Sequence, residues 1–247
     1  PDTIACASLE IWNEKMNRWV NRGATGIALL DDSGTRQRLK YVFDLRDTHL
    51  GVNGRTPFIW RMQEHHTEPV LQHLIDTYDL DPDTYLLHNA LMEIARNSVL
   101  DNMDDYFSDF RTSVKGSFLE ELDELNLQVR FRESVIASVQ YMLLYRCGFP
   151  PDEILDVEDF SFITDFNTLE TVAQLGFATN DIAKPILMDI GREIRSIETE
   201  IRRSRRQEMP YNRGAEAKPY EGGLTHETEL HSNRGLSDSE SVINEPD

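Results

Sequence analysis

The chain has 247 residues, 39% hydrophobic and 28% charged, a balance that supports a buried core and excludes a chain disordered throughout. No apolar run approaches the ~20 residues a helix needs to span a bilayer, and two cysteines without metal-type spacing exclude a disulfide scaffold and point to free thiols in a reducing cytosol. The net charge of −19 is uneven: residues 1–60 carry 8 Lys/Arg against 7 Asp/Glu, residues 61–185 carry 8 against 24, and residues 186–247 carry 9 against 13, so the middle repels a phosphate backbone and only the N-terminal part tolerates one.

Ser8 can cap a helix running to about Val20, with Leu9, Trp12, Met16 and Trp19 on one packed face. Gly23 suits the position after a helix C-terminus, where φ is often positive. "GIALL" and "RLKYVF" then read as two strands, since Leu39, Tyr41 and Phe43 alternate with Lys40, Val42 and Asp44. "DDSG" between them supplies turn chemistry, with Gly34 free to take positive φ. His49 to Trp60 reads as a loop, and "TPFIW" has the composition of a short further strand.

From Glu64 the pattern is helical. "EPVLQHLIDTY" is amphipathic and stops at "DLDPD", after which Asp83 can cap a helix carrying Leu87, Leu91 and Ile94. The longest helical pattern starts at "SFLEELDELN" and ends at Gly148, Pro150 and Pro151. Asn167 and Glu170 form a capping-box pattern before another helix. A last helix over about 180–205 places Leu187, Ile190, Ile194, Ile197 and Ile201 in a heptad-like seam that another module could pair with. Four arginines, Arg202, Arg203, Arg205 and Arg206, close it, where cations favour the helix dipole. From about Gln207 the composition predicts a disordered tail.

Catalytic and phosphate-binding motifs of the P-loop, G-x-G-x-x-G, G-x-S-x-G and H-E-x-x-H types are missing, so the sequence predicts no catalytic residues, no cofactor and no enzyme activity for this chain. No metal site is expected either. Asp79, Asp81 and Asp83 lack the Gly and the final Glu of a calcium loop and read as a turn and cap. Asp101, Asp104, Asp105 and Asp109 read as a solvated helix face. His65, His66 and His73 lack the i, i+4 pairing of a helical zinc site.

Arg18, Arg22, Arg36, Arg38 and Lys40 bracket the Gly23–Gly26 turn and the hairpin. Cations beside exposed backbone N–H groups can hold phosphate. They can equally balance Glu10, Glu14, Asp31 and Asp32 on the surface.

The stretch "ACASLEIWNEKMNRWVNRGATGIALLDDSGTRQRLKYVFDLRDT" resembles a region recurrent in very large multi-module proteins of bacterial conjugative elements and related phages, where it precedes a Swi/Snf-type helicase or DNA-methylase part. It also resembles the single-stranded-DNA-binding N-terminal domain of ArdC-type antirestriction proteins, through Trp12, Val20, Arg22, Gly23, Gly26, Ile27 and "YVFD" with Asp47 and Thr48. Where that pattern commonly has Lys before the second Gly, this chain has Thr25, one cation fewer at the turn. The first resemblance extends through "SFLEELDELN", "YMLLYRCG", "DFNTLETVAQLG" and "RGLSDSE"; the second covers about residues 5–48. The chain begins with Pro and reads as a fragment of a longer cytoplasmic product, without the metalloprotease, helicase or methylase parts.

The resulting expectation is an α+β protein. It has a helix-plus-hairpin unit over 1–60, a mostly helical region over 61–206 and a disordered tail over 207–247. The resemblance implies a non-catalytic module that contacts single-stranded DNA through Arg18, Arg22, Gly23, Gly26, Arg36, Arg38 and Lys40, with a helicase or methylase module of the same polypeptide as its other partner. Two rivals remain: an antirestriction DNA mimic, if the acidic residues form a continuous stripe, and a protein-binding scaffold.

Overall fold

The structure is a computed structural model and describes residues 4–31, 38–83 and 86–208. The chain is α+β, with small antiparallel sheets at the N-terminus followed by a mainly helical region. Both belong to one compact unit.

The N-terminal unit differs from the expected helix. Strand β1 (Cys6–Ser8) leads into a π-helical turn at Ile11–Lys15, and β2 (Arg18–Val20) follows. Asn17 ends the helical turn by adopting φ +47°, a left-handed conformation that Asn tolerates through its short polar side chain. The residues beyond it form ladder bonds instead: β2 pairs with β5 (Thr48–Leu50), Trp19 opposite His49. Trp12 is buried and its indole N–H donates to the Phe43 carbonyl at 2.8 Å. Trp19, expected on the same packed face, is 49% exposed.

The predicted hairpin is present. Strands β3 (Ile27–Asp31) and β4 (Arg38–Asp44) are antiparallel, and β1 flanks the other edge of β4. The register sets Ala28 opposite Tyr41 and Leu29 opposite Lys40. The turn residues 32–37, Gly34 and Arg36 included, lie outside the described residues. "TPFIW" belongs to no strand.

The helical region consists of α1 (Glu64–Tyr78), α2 (Leu87–Ser113), α3 (Glu124–Arg146), the short α4 (Pro151–Ile154) and α5 (Leu169–Glu208). Leu86, not Asp83, occupies the N-cap of α2. Helix α3 starts later than expected because Asp123 caps it, accepting from the Asn126 N–H at 3.0 Å. At the start of α5, Thr168 and Thr171 exchange cap hydrogen bonds, and Asn167 turns away to accept from the Phe118 N–H at 2.9 Å. The two expected C-terminal helices are one helix of 40 residues that runs through Pro185. An interior Pro costs about 3 kcal/mol; burial of Ile182, Ala183, Ile186, Ile190 and Ile194 along the same helix offsets it. Of the isoleucine seam, Ile190 and Ile194 are buried in the core, and Leu187 and Ile197 pack partly against it.

The core centres on stacked rings. Phe110 and Phe131 lie 4.0 Å apart at 9°, with Phe166 5.4 Å from Phe110. Truncating a ring such as Phe131 to Ala typically costs about 3–5 kcal/mol. No helix among the described residues is long and apolar enough to cross a membrane. The predicted tail lies outside the described residues, except that Gln207 and Glu208 belong to α5.

Candidate nucleic-acid interface

The structure separates the cations that the sequence grouped. Arg18 is a structural residue, only 7% exposed. Its Nε donates to Thr48 Oγ1 at 2.8 Å, Nη2 to the Thr48 carbonyl at 3.3 Å and Nη1 to Thr56 Oγ1 at 3.3 Å. Thr48 Oγ1 in turn donates to the Leu45 carbonyl at 2.7 Å, so these bonds tie the β2–β5 ribbon to the turn before β5 and, through Thr56, to the loop after it. A guanidinium committed in this way is not available to phosphate, which corrects its assignment as a DNA contact.

Arg22 and Lys40 are exposed. Arg36 lies outside the described residues, and Arg38 is placed only as the first residue of β4. The two glycines have different causes. Gly23 takes φ +85° with open space where a Cβ would stand, the turn freedom expected of it, although it follows a strand. At Gly26 a Cβ would stand 3.0 Å from the Phe43 ring and 3.1 Å from Tyr41 Cβ. A side chain there would press on the Phe43 ring, so close packing of the hairpin on itself accounts for a small residue at this position, whatever passes the turn.

Exposed aromatic residues lie near the exposed cations in the sequence. Tyr41 follows Lys40 on β4 and is half exposed, and Trp19 is exposed on β2 three residues before Arg22. Along β4, Leu39, Tyr41 and Phe43 alternate with Lys40, Val42 and Asp44, the pattern of a strand with one covered face. The three-stranded sheet instead leaves both faces of the hairpin partly open, with Ile27 and Leu29 exposed on one and Leu39 and Tyr41 on the other. The signal available in the sequence was the shortness of the unit: strands of 3 to 7 residues cannot cover a hairpin on two sides.

Asp44 ends β4 as a fixed anion. Burial alone would push its carboxyl up, but N–H bonds from Arg46 (2.8 Å) and Ile4 (2.7 Å), together with the Arg46 side chain (3.1 Å), outweigh this and hold it below the usual carboxylate range.

Two histidine clusters bridge α1 and α5. His65, His66 and Glu198 place their ligand atoms within 4.8 Å of one another, a grouping of metal-binding type that the spacing test on α1 alone could not see. The hydrogen bonds argue against a cation there. The Gln63 N–H donates to His66 Nδ1 at 3.1 Å, so that nitrogen carries the lone pair and Nε2 carries the proton facing Glu198. A metal on Nε2 would have to remove that proton and leave an imidazolate. His73 is held by Asp189 at 3.2 Å. The remaining aspartates have structural or solvated places: Asp79 takes φ +50° at the end of α1, and Asp101, Asp104, Asp105 and Asp109 are exposed on α2.

The chain matches no protein-family model, no curated protein and no solved structure.

Proposed function

We propose that this chain is a non-catalytic cytoplasmic module of a mobile-element DNA-processing protein, holding single-stranded DNA through its N-terminal unit for a helicase or methylase part of the same polypeptide. One observation carries the reading: the unit presents half-exposed aromatic rings, Trp19 and Tyr41, close in sequence to the exposed cations Arg22 and Lys40. Rings that stack unpaired bases beside cations that meet phosphate are the general means of binding single strands without sequence preference. The resemblance of residues 5–48 to ArdC-type N-terminal domains points the same way. A mimic of DNA needs an unbroken acidic stripe. Here Arg111, Arg130 and Arg132 pair with Glu124, Asp165 and Glu133, which favours the DNA-binding reading over the mimic.

Fluorescence anisotropy of labelled oligo-dT at two salt concentrations tests it. Trp19→Ala and Tyr41→Ala should each weaken binding by about 1–3 kcal/mol for a lost stack. Arg22→Ala combined with Lys40→Ala should lower the salt slope by about 1.4, at about 0.7 per phosphate contact. Absence of binding at low salt, or binding indifferent to these four side chains, refutes the proposal.

A further inference from the structure

Away from the N-terminal unit, three adjoining concavities between α3, α5 and the segment Phe58–Met62 all share Arg146. Arg61, Arg146, Lys184, Arg192 and Arg195 line them, and among the described residues no carboxylate does. This segregation occurs in a chain of net charge −19, and the cleft on the opposite side of α3 shows the contrast, with Glu93, Glu133, Glu158 and Asp159 against the single cation Arg96 in its wall. Lys184, Arg192 and Arg195 recur at spacings that place them on one stripe of α5.

Two of the cations are seated on aromatic faces. The Arg146 guanidinium lies 3.6 Å over the Trp60 ring and donates to the Trp60 carbonyl at 2.8 Å. Arg195 lies 4.6 Å over Phe58. Arg192 is pinned by Asp189 at 2.8 Å. The place of Trp60 is itself built: a Cβ on Gly191 would stand 2.5 Å from its indole nitrogen, so a glycine inside α5 is what lets the ring lie against the helix. At the other end of the groove Tyr141 and Tyr145 lie parallel, 8° apart with centroids 6.3 Å apart, and Tyr145 is 70% exposed. An exposed pair of parallel rings has no part in the core, and Ile4 of the N-terminal unit lines the concavity that Tyr145 borders.

We propose that this groove is a second single-stranded-DNA contact, in which Arg61, Lys184 and Arg195 meet phosphates and Tyr145 stacks a base. Charge selects an anionic occupant, and the exposed ring selects one with free π-faces, which a duplex keeps buried. The inference rests on the reading of the chain as a single-strand binder, and extends it to residues that the resemblance to ArdC-type domains does not cover.

The whole chain is titrated with labelled oligo-dT by anisotropy across a salt series, as wild type, as Lys184→Ala with Arg195→Ala, as Tyr145→Ala, and as Arg22→Ala with Lys40→Ala. All of these side chains are exposed, and circular dichroism checks that each variant keeps its helices. The expected result is a salt slope lower by about 1.4 for the first pair and affinity lower by roughly 5- to 150-fold for Tyr145→Ala. Groove variants that bind as wild type while the Arg22 and Lys40 variant weakens would overturn the groove and leave the N-terminal site standing. The reverse pattern would keep the groove and remove the N-terminal site. No binding by wild type at low salt overturns both. Competition by a polyglutamate peptide as strong as that of unlabelled oligo-dT of equal charge also overturns the groove, since the rings would then contribute nothing.

Discussion

His66 Nε2 and Glu198 Oε1 stand 3.1 Å apart and join two helices separated by 132 positions in the chain. The bond has a defined direction. The Gln63 N–H holds the lone pair of His66 Nδ1, so the imidazole donates from Nε2 and the carboxylate accepts. His65 lies against the same oxygen at 3.2 Å.

That arrangement sets a pH dependence. Hydrogen bonds from His66 and then His65 hold the Glu198 carboxyl below its ordinary value of 4.5. A depressed carboxylate adds stability above its unfolded value and loses it as the pH falls through the folded one. Glu198→Gln should therefore be less stable than wild type above about pH 4.5, with the difference closing at lower pH. Urea midpoints measured down through the carboxylate range check this, and a difference constant with pH would contradict it. The same tautomer predicts that zinc leaves the melting temperature of the wild type unchanged.

Arg18 and Arg22 are four residues apart and should behave in opposite ways. Arg18→Ala removes a buried guanidinium with three hydrogen bonds and leaves Thr48 short of a donor. A loss of about 1.5–3 kcal/mol in denaturant unfolding is expected, typical of hydrogen bonds to a charged group. Arg22 is exposed, and Arg22→Ala should stay within about 0.5 kcal/mol of wild type. Equal stability effects would contradict the assignment of Arg18 to structure.

Two glycines within α5 separate backbone cost from packing. Gly176 has nothing within 4 Å of an added Cβ, so Gly176→Ala should stabilise by about 0.5–1 kcal/mol. Gly191→Ala gains the same helix propensity but drives a methyl to 2.5 Å from the Trp60 indole nitrogen. It should destabilise and shift the Trp60 emission to longer wavelength as the ring leaves its seat. Thermal melts with fluorescence read both variants, and a stabilised Gly191→Ala would mean that the seat yields freely.

Cys6 is exposed, whereas Cys147 is buried beside the core and burial pushes its thiol up to about 12. A maleimide should label one thiol per native chain, on Cys6, and two after denaturation. Labelling of both at equal rates in the native protein would contradict the burial of Cys147.

The α+β class, the β3–β4 hairpin and the existence of α1, α2 and α3 were legible in the amino-acid order alone. Apolar spacing and turn residues act through hydrogen bonds a few positions apart, so their signal is local. The left-handed Gly23 was legible for the same reason. The tertiary structure decided where local preference and distant pairing disagreed. A helical pattern up to Val20 yields to β2 because β5, about 30 residues on, supplies the ladder. Pro185 does not break α5 because the isoleucines beyond it already face the core. Arg18 reads as surface charge until Thr48 and Thr56 close around it. The basic groove is the largest instance. Charge counted along the sequence averages 8 cations with 24 anions over residues 61–185, and it hides the fact that folding brings Arg146 onto Trp60, 86 positions away, with no carboxylate among the described residues lining the space between. Electrostatics acts through distance in space, and that distance exists only once the helices have packed.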